Sequence, residues 1–77
     1  TIMTDNVNHP VHYARDGIEA IDAIEAMTSQ MTGRYAPHAA NVLKYVWRFE
    51  RKNGLEDIDK AIWYLNRMRE VWVKNHP

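Results

Sequence analysis

Apolar positions recur at helical spacing over three stretches of this chain, and none of the three shows the period of two that a half-buried strand would need. In "GIEAIDAIEAMTSQM", Ala20, Ile21, Ile24, Met27, Thr28 and Met31 share one face, while Glu19, Asp22, Ser29 and Gln30 take much of the other. This pattern predicts a helix over about 18–31, with Asp16 as its N-cap, an acidic first turn that suits the helix dipole, and Gly33 at its end. A second helix is predicted over about 36–52, with Pro37 in its first turn and Asn53-Gly54 as the stop. A third runs over about 55–73, with Ile58, Ala61, Ile62, Leu65, Met68 and Trp72 on one stripe. Residues 1–17 have no period, and "HP" and "RDG" are turn-like, so they form an extended arm. The expected fold is all-α: an N-terminal arm (1–17) followed by a three-helix domain (18–77).

Seventy-seven residues make a single small domain, whose core is marginal unless something supports it. With no cysteine, disulfide stapling and thiol chemistry are excluded. Self-association is then the expected support, and three tryptophans and four tyrosines in so short a chain agree with a homo-oligomer. Ten basic and ten acidic side chains cancel, which argues against a DNA or RNA duplex as partner. No apolar run approaches the length of a membrane span and no signal segment is present, so no membrane partner is expected and the chain is placed in a cytoplasm.

The second helix carries the sharpest polar pattern. Asn41, Lys44 and Arg48, with Arg51 and Lys52 below, fall within roughly a 100° arc. Val42, Tyr45, Val46 and Phe49 flank this stripe on one side, Leu43 and Trp47 on the other. A helix apolar on two sides is central, or shared with another subunit, and its polar stripe then lines a cleft. Lysine and arginine one turn apart suit phosphate, the first as a mobile point charge and the second as a planar fork of donors. Asn41 is placed to orient a base, a ribose or a water.

Carboxylates come in pairs elsewhere. Glu19 and Asp22 stand three apart with Glu25 a turn on, and Glu56 and Asp59 repeat the spacing on the third helix. Such pairs on facing helices hold magnesium beside phosphates in helical pyrophosphatases of the MazG type, and Glu19 and Asp22 are the candidate metal ligands on that reading. The plainer reading of Glu56 is an ion pair with Lys60, four residues on. Asp57 lies at the edge of the apolar face beside Tyr64 and Met68, and needs Lys44 or Arg48 as a partner. Trp63 projects among polar residues, which points to a subunit contact or a stacking platform for a base, and Trp47 is a second candidate of the same kind. In "NHPVHY", His9 and His12 are too few to saturate a zinc ion. An arm folded over the helices, with His12 and Tyr13 donating into the cleft, accounts for that segment better. His38 and His76 have no motif around them and belong to helix ends. There is no phosphate-binding glycine loop and no recognisable nucleophile context.

"VNHPVHY", "GIEAIDAIEAM" and "NVLKYVWRFERKNGLEDIDKAIWYL" together resemble the small phage and prophage domain known as DUF3310, from about Val7 to Arg69. His12 and Tyr13 match its Pro-x-His-Tyr element, and Glu19 and Ile21 its Ile-Glu-x-Ile element. Asn41, Lys44 and Tyr45 match Asn-x-x-Lys-Tyr, with Arg48 as the arginine that follows. Asp57, Lys60, Ala61 and Tyr64 match Asp-x-x-Lys-Ala-x-x-Tyr. A related segment forms the C-terminal part of a longer lytic-coliphage nucleotide kinase that lacks a Walker motif. The resemblance therefore implies a phage-encoded nucleotide-binding protein in the host cytoplasm. Lys44, Arg48, Asn41, His12 and Tyr13 would contact the ligand, and Asp57, Tyr64 and Lys60 would support them. Kinase-like phosphoryl transfer would need Mg2+. The alternatives are sequestration of a nucleotide or cyclic-nucleotide immune signal without turnover, a MazG-like pyrophosphatase, and a module that binds a host protein.

Overall fold

The computed structural model describes Ala14, Arg15 and residues 17–77. Ala14–Arg15 (β1) and Ile18–Glu19 (β2) pair antiparallel, with Ala14 opposite Glu19 and Arg15 opposite Ile18. Gly17, at φ 80°, supplies the left-handed backbone that so tight a reversal requires. The end of the predicted arm is thus a minimal hairpin, and it delays the first helix.

That helix, α1, spans Ala20–Thr28 and is shorter than its apolar pattern at both ends. Its N-cap is Glu19, held by a reciprocal box in which the Glu19 side chain accepts from the Asp22 backbone N–H. The Asp22 carboxylate accepts from the Glu19 backbone N–H in return, at 3.4 Å. Asp16, the N-cap predicted from sequence, lies outside the described residues. At the other end, Thr28 Oγ1 donates to the Ile24 carbonyl (2.8 Å) and Ser29 Oγ to that of Ala26 (3.0 Å). Hydroxyls bonded back to the preceding turn offer the chain an alternative to continuing the helix.

The second helix, α2, spans Ala36–Arg48 with Pro37 in its first turn, where the missing N–H costs nothing. Residues 49–52, predicted as helix, instead form a 3-10 turn at Phe49–Arg51 and begin the loop. Gly54 closes that loop at φ 53°, ψ −122°, a conformation that side-chain-bearing residues rarely adopt, and its N–H donates to the Phe49 carbonyl at 2.8 Å. The third helix, α3, spans Leu55–Asn75, two residues beyond its predicted end. Asn75 Nδ2 donates to the Val71 carbonyl (2.7 Å) and closes its last turn.

α2 lies between α1 and α3, as its two apolar flanks required. The fully buried apolar residues are small: Ala20, Ala39 and Ala61. Small side chains let helix backbones approach closely. They also leave the larger apolar residues at the margins, so the apolar stripe of α3 is divided. Ala61 is buried and Met68 half-buried, whereas Ile58, Ile62, Leu65 and Trp72 are exposed.

At the α2–α3 corner sits the one buried charge among the described residues, Asp57, at 0% exposure. Of its two candidate partners, Arg48 is the one engaged and Lys44 is not. Arg48 Nη2 lies 3.2 Å from Oδ1, and Nε lies 3.4 Å from both carboxylate oxygens. The Asn53 backbone N–H donates to Oδ2 at 3.2 Å and its side-chain amide to Oδ1 at 3.4 Å. Burial alone would push this carboxyl up. The hydrogen bonds from Arg48 and from the Asn53 backbone and side chain, together with the Arg48 charge, outweigh it and hold the pKa below the ordinary 3.8.

Two expectations follow from this corner. Gly54→Ala should lower stability in urea unfolding by about 1–3 kcal/mol through backbone strain alone, because no atom crowds the added methyl. Asp57→Asn keeps the shape but leaves Arg48 without its counter-charge, and should lower the thermal midpoint by roughly 10 °C. Because the Asp57 pKa is depressed in the folded state, its contribution is complete above pH 3.8 and is lost as pH falls through the lowered value. The acid-induced loss of stability should accordingly be shallower in Asp57→Asn than in the parent chain.

Candidate functional site

Helical spacing brings one aromatic ring and three cations together across the α2–α3 boundary. Tyr45 and Arg48 are three apart on α2, and Lys60 and Tyr64 are four apart on α3, so each pair lies on one helix face. Tyr45 and Tyr64 stack across the boundary with centroids 6.0 Å apart and planes at 16°. Trp63 meets Tyr64 edge-on at 5.0 Å and 80°. Around the Tyr45 ring stand the Lys44 ammonium at 4.6 Å from the centroid, the Arg48 guanidinium at 4.9 Å and the Lys60 ammonium at 5.6 Å. A ring face is the negative end of a quadrupole, so each position is attractive on its own, and the ring offsets the mutual repulsion of three like charges. Tyr45, Lys60, Trp63 and Tyr64 line a shallow recess of about 270 Å³ beside this cluster.

The three cations are not equivalent. Arg48 is largely covered and committed to Asp57, so its first role is to lock the helix corner. Lys60 Nζ lies 3.0 Å from Glu56 Oε2, an exposed pair four apart on α3. Its pKa is raised, first by the hydrogen bond to Glu56 and then by that carboxylate's charge. Burial opposes the shift, and the charge of Asp57 adds to it. Lys44 has no carboxylate partner among the described residues and is held over Tyr45 alone.

Among the residues singled out from sequence, Lys44, Arg48, Lys60, Tyr64 and Trp63 come together here. Asn41 does not line the recess; its side-chain amide donates to the Pro37 carbonyl at 3.1 Å, within its own helix. Trp47 lies elsewhere, in an apolar cavity of about 470 Å³ shared with Met27, Met31, Val46 and Met68. His9, His12 and Tyr13 lie outside the described residues. Glu19 and Asp22 cap α1, Glu56 pairs with Lys60, and Asp59 is exposed on α3. Among the described residues, no three His, Cys, Asp or Glu side chains are grouped so as to hold a metal ion. His38 is within the first turn of α2 with its ring 6.3 Å from Tyr64, and its buried Nδ1 has no partner among the described residues. His76 caps α3, with Nδ1 3.0 Å from the Trp72 carbonyl and its ring stacked on Trp72 at 3.8 Å.

What sequence reasoning missed is the central place of Tyr45, which was assigned to an apolar flank. Its signal was present in the Lys-Tyr-x-x-Arg spacing, which sets two cations against one ring. Lys60 was expected both to pair with Glu56 and to support the site, and its reach to the Tyr45 ring depends on the α2–α3 packing.

No helix of the described residues is long and apolar enough to cross a membrane. No curated protein and no solved structure shows significant similarity to the chain. The profile of the DUF3310 family, described as a protein of unknown function, matches residues 7–66. That match takes in the α1 cap, the Tyr45 cluster and the Asp57 corner together, and the chain belongs to the DUF3310 family.

Proposed function

We propose that this chain is a phage or prophage nucleotide-binding protein that acts in the host cytoplasm and takes its ligand at the recess beside Tyr45. The observation that carries the reading is the set of three cations around one ring next to an exposed aromatic wall. Trp63, 61% exposed, offers a face on which a planar base stacks. Lys44 and Lys60, both beside the Tyr45 ring, supply mobile positive charge for a phosphate group. Arg48 contributes field but is spoken for by Asp57, so it positions the site and is not the main phosphate ligand. The resemblance to the coliphage kinase segment supports the same class of ligand.

Binding without turnover is the form the geometry favours. Phosphoryl transfer calls for carboxylates that converge on a metal beside the phosphates. Glu19 and Asp22 are occupied with each other at the α1 cap, and Glu56 with Lys60. A magnesium requirement is therefore the property that separates a binder from a kinase or a pyrophosphatase.

Isothermal titration with a panel of deoxynucleotides and cyclic nucleotides, with and without Mg2+, is expected to give binding that does not depend on the metal. Lys44→Ala should weaken it by roughly tenfold or more, the loss of one charge-assisted contact, with the circular dichroism spectrum unchanged. Trp63→Ala should weaken it to a similar degree. Parent affinity in both variants would overturn the site, and no binding across the panel would overturn the function.

A further inference from the structure

The α3 helix carries two heptad-spaced seams, and its own chain covers one of them. Asp57, Ala61, Tyr64, Met68 and Val71, spaced alternately four and three, are the buried and half-buried residues that face α2. Leu55, Ile58, Ile62, Leu65, Arg69 and Trp72 repeat the alternation about 110° further round the helix, at about 100° per residue. Every apolar member of this second seam is exposed, from 37% at Ile58 to 70% at Leu55. Isolated exposed apolar residues are ordinary, but five on one continuous stripe of a 21-residue helix are not. The tyrosines, Trp63 and Lys60 of the ligand recess lie on the far side of α3, so this seam is independent of the proposed function.

We infer that the open seam packs against the same seam of a second copy of this chain, antiparallel. The choice of occupant rests on charge. Of the charges on α3, Arg69 lies on the seam and Asp59 at its margin, whereas Glu56 and Glu70 are already paired with Lys60 and Arg67. A parallel pair would set Arg69 beside Arg69, whereas an antiparallel pair brings each Arg69 to the level of the other copy's Asp59. Neither Asp59 nor Arg69 has an ion-pair partner among the described residues.

The heptad fixes the register as well. Antiparallel seams meet in layers that pair Leu55 with Trp72 of the second copy, Ile62 with its Leu65, and Ile58 with its Arg69. The arginine is the polar member of an otherwise apolar seam, and in this register its guanidinium reaches Asp59, the neighbour of Ile58. Beside Leu65 and Trp72 the single chain has an apolar groove of about 730 Å³, walled on its other side by Met31, Thr32 and Tyr35. Leu55 of the second copy enters the Trp72 end of that groove. A helix whose fully covered residues are one alanine and one aspartate thereby gains large apolar partners for its open side.

The test uses light scattering behind size exclusion and the absence of native cysteine. The chain is expected to run at twice its 9.1 kDa mass or an even multiple of it. Ile62→Glu should dissociate the pair while helicity persists. In case that variant fails to fold, Asp59→Arg and Arg69→Asp should each weaken association and restore it when combined. Leu55→Cys and Trp72→Cys chains, oxidised together, should form the mixed disulfide in preference to either homodisulfide. A monomeric parent chain, an unaltered mass for a folded Ile62→Glu, or a dominant Leu55→Cys homodisulfide would overturn the inference.

Discussion

The Asp57–Arg48 pair is the constraint on which the rest of the structure depends. A carboxylate with no access to solvent must be compensated, and here one guanidinium and two donors of Asn53 surround it. Those groups come from the end of α2, the loop and the start of α3, so the compensation is also a three-way joint. It fixes where α2 stops, why Gly54 must take a left-handed backbone, and at what angle α3 leaves. It also draws Arg48 across the face of Tyr45, which is the first contact of the basic and aromatic cluster. The proposed binding face is in this sense a by-product of satisfying one buried charge.

Much of this was legible in the amino-acid sequence, and unevenly so. Three helices followed from apolar spacing, and the second and third helices from Pro37 and Asn53-Gly54. The partnership of Asp57 with a cation of α2 followed from a carboxylate placed at an apolar edge. The choice of Arg48 over Lys44 did not, because both stand on the same stripe and only the approach of the two helices separates them. The true start of α1 was hidden because "GIE" serves both a hairpin and a cap, and periodicity cannot tell where one ends. The stripe on α3 was legible, but not what covers each part of it. Ala61 and Met68 share the helix side with Ile62 and Leu65 closely enough to appear as one face. In three dimensions that broad face divides between a neighbour in the chain and open surface.

The two sides of α3 follow from the size of the chain. A domain this small with alanines at its centre cannot bury leucine, isoleucine and tryptophan on every helix. What it buries it uses to place α2, and the recess lined by Tyr45, Lys60, Trp63 and Tyr64 opens where those two helices meet. What it leaves exposed lies on the opposite flank, where an added copy would not close that recess.

The most direct test of the account is the titration of the Asp57 side chain by carbon-detected NMR of its carboxyl group. If hydrogen bonds and charge from Arg48 and Asn53 outweigh burial, the resonance should titrate below 3.8 and move together with the onset of acid unfolding. A value at or above 3.8 would contradict it. Burial would then be the dominant influence and the Arg48 contact weak. The division of labour between a structural arginine and ligand-facing lysines would lose its basis.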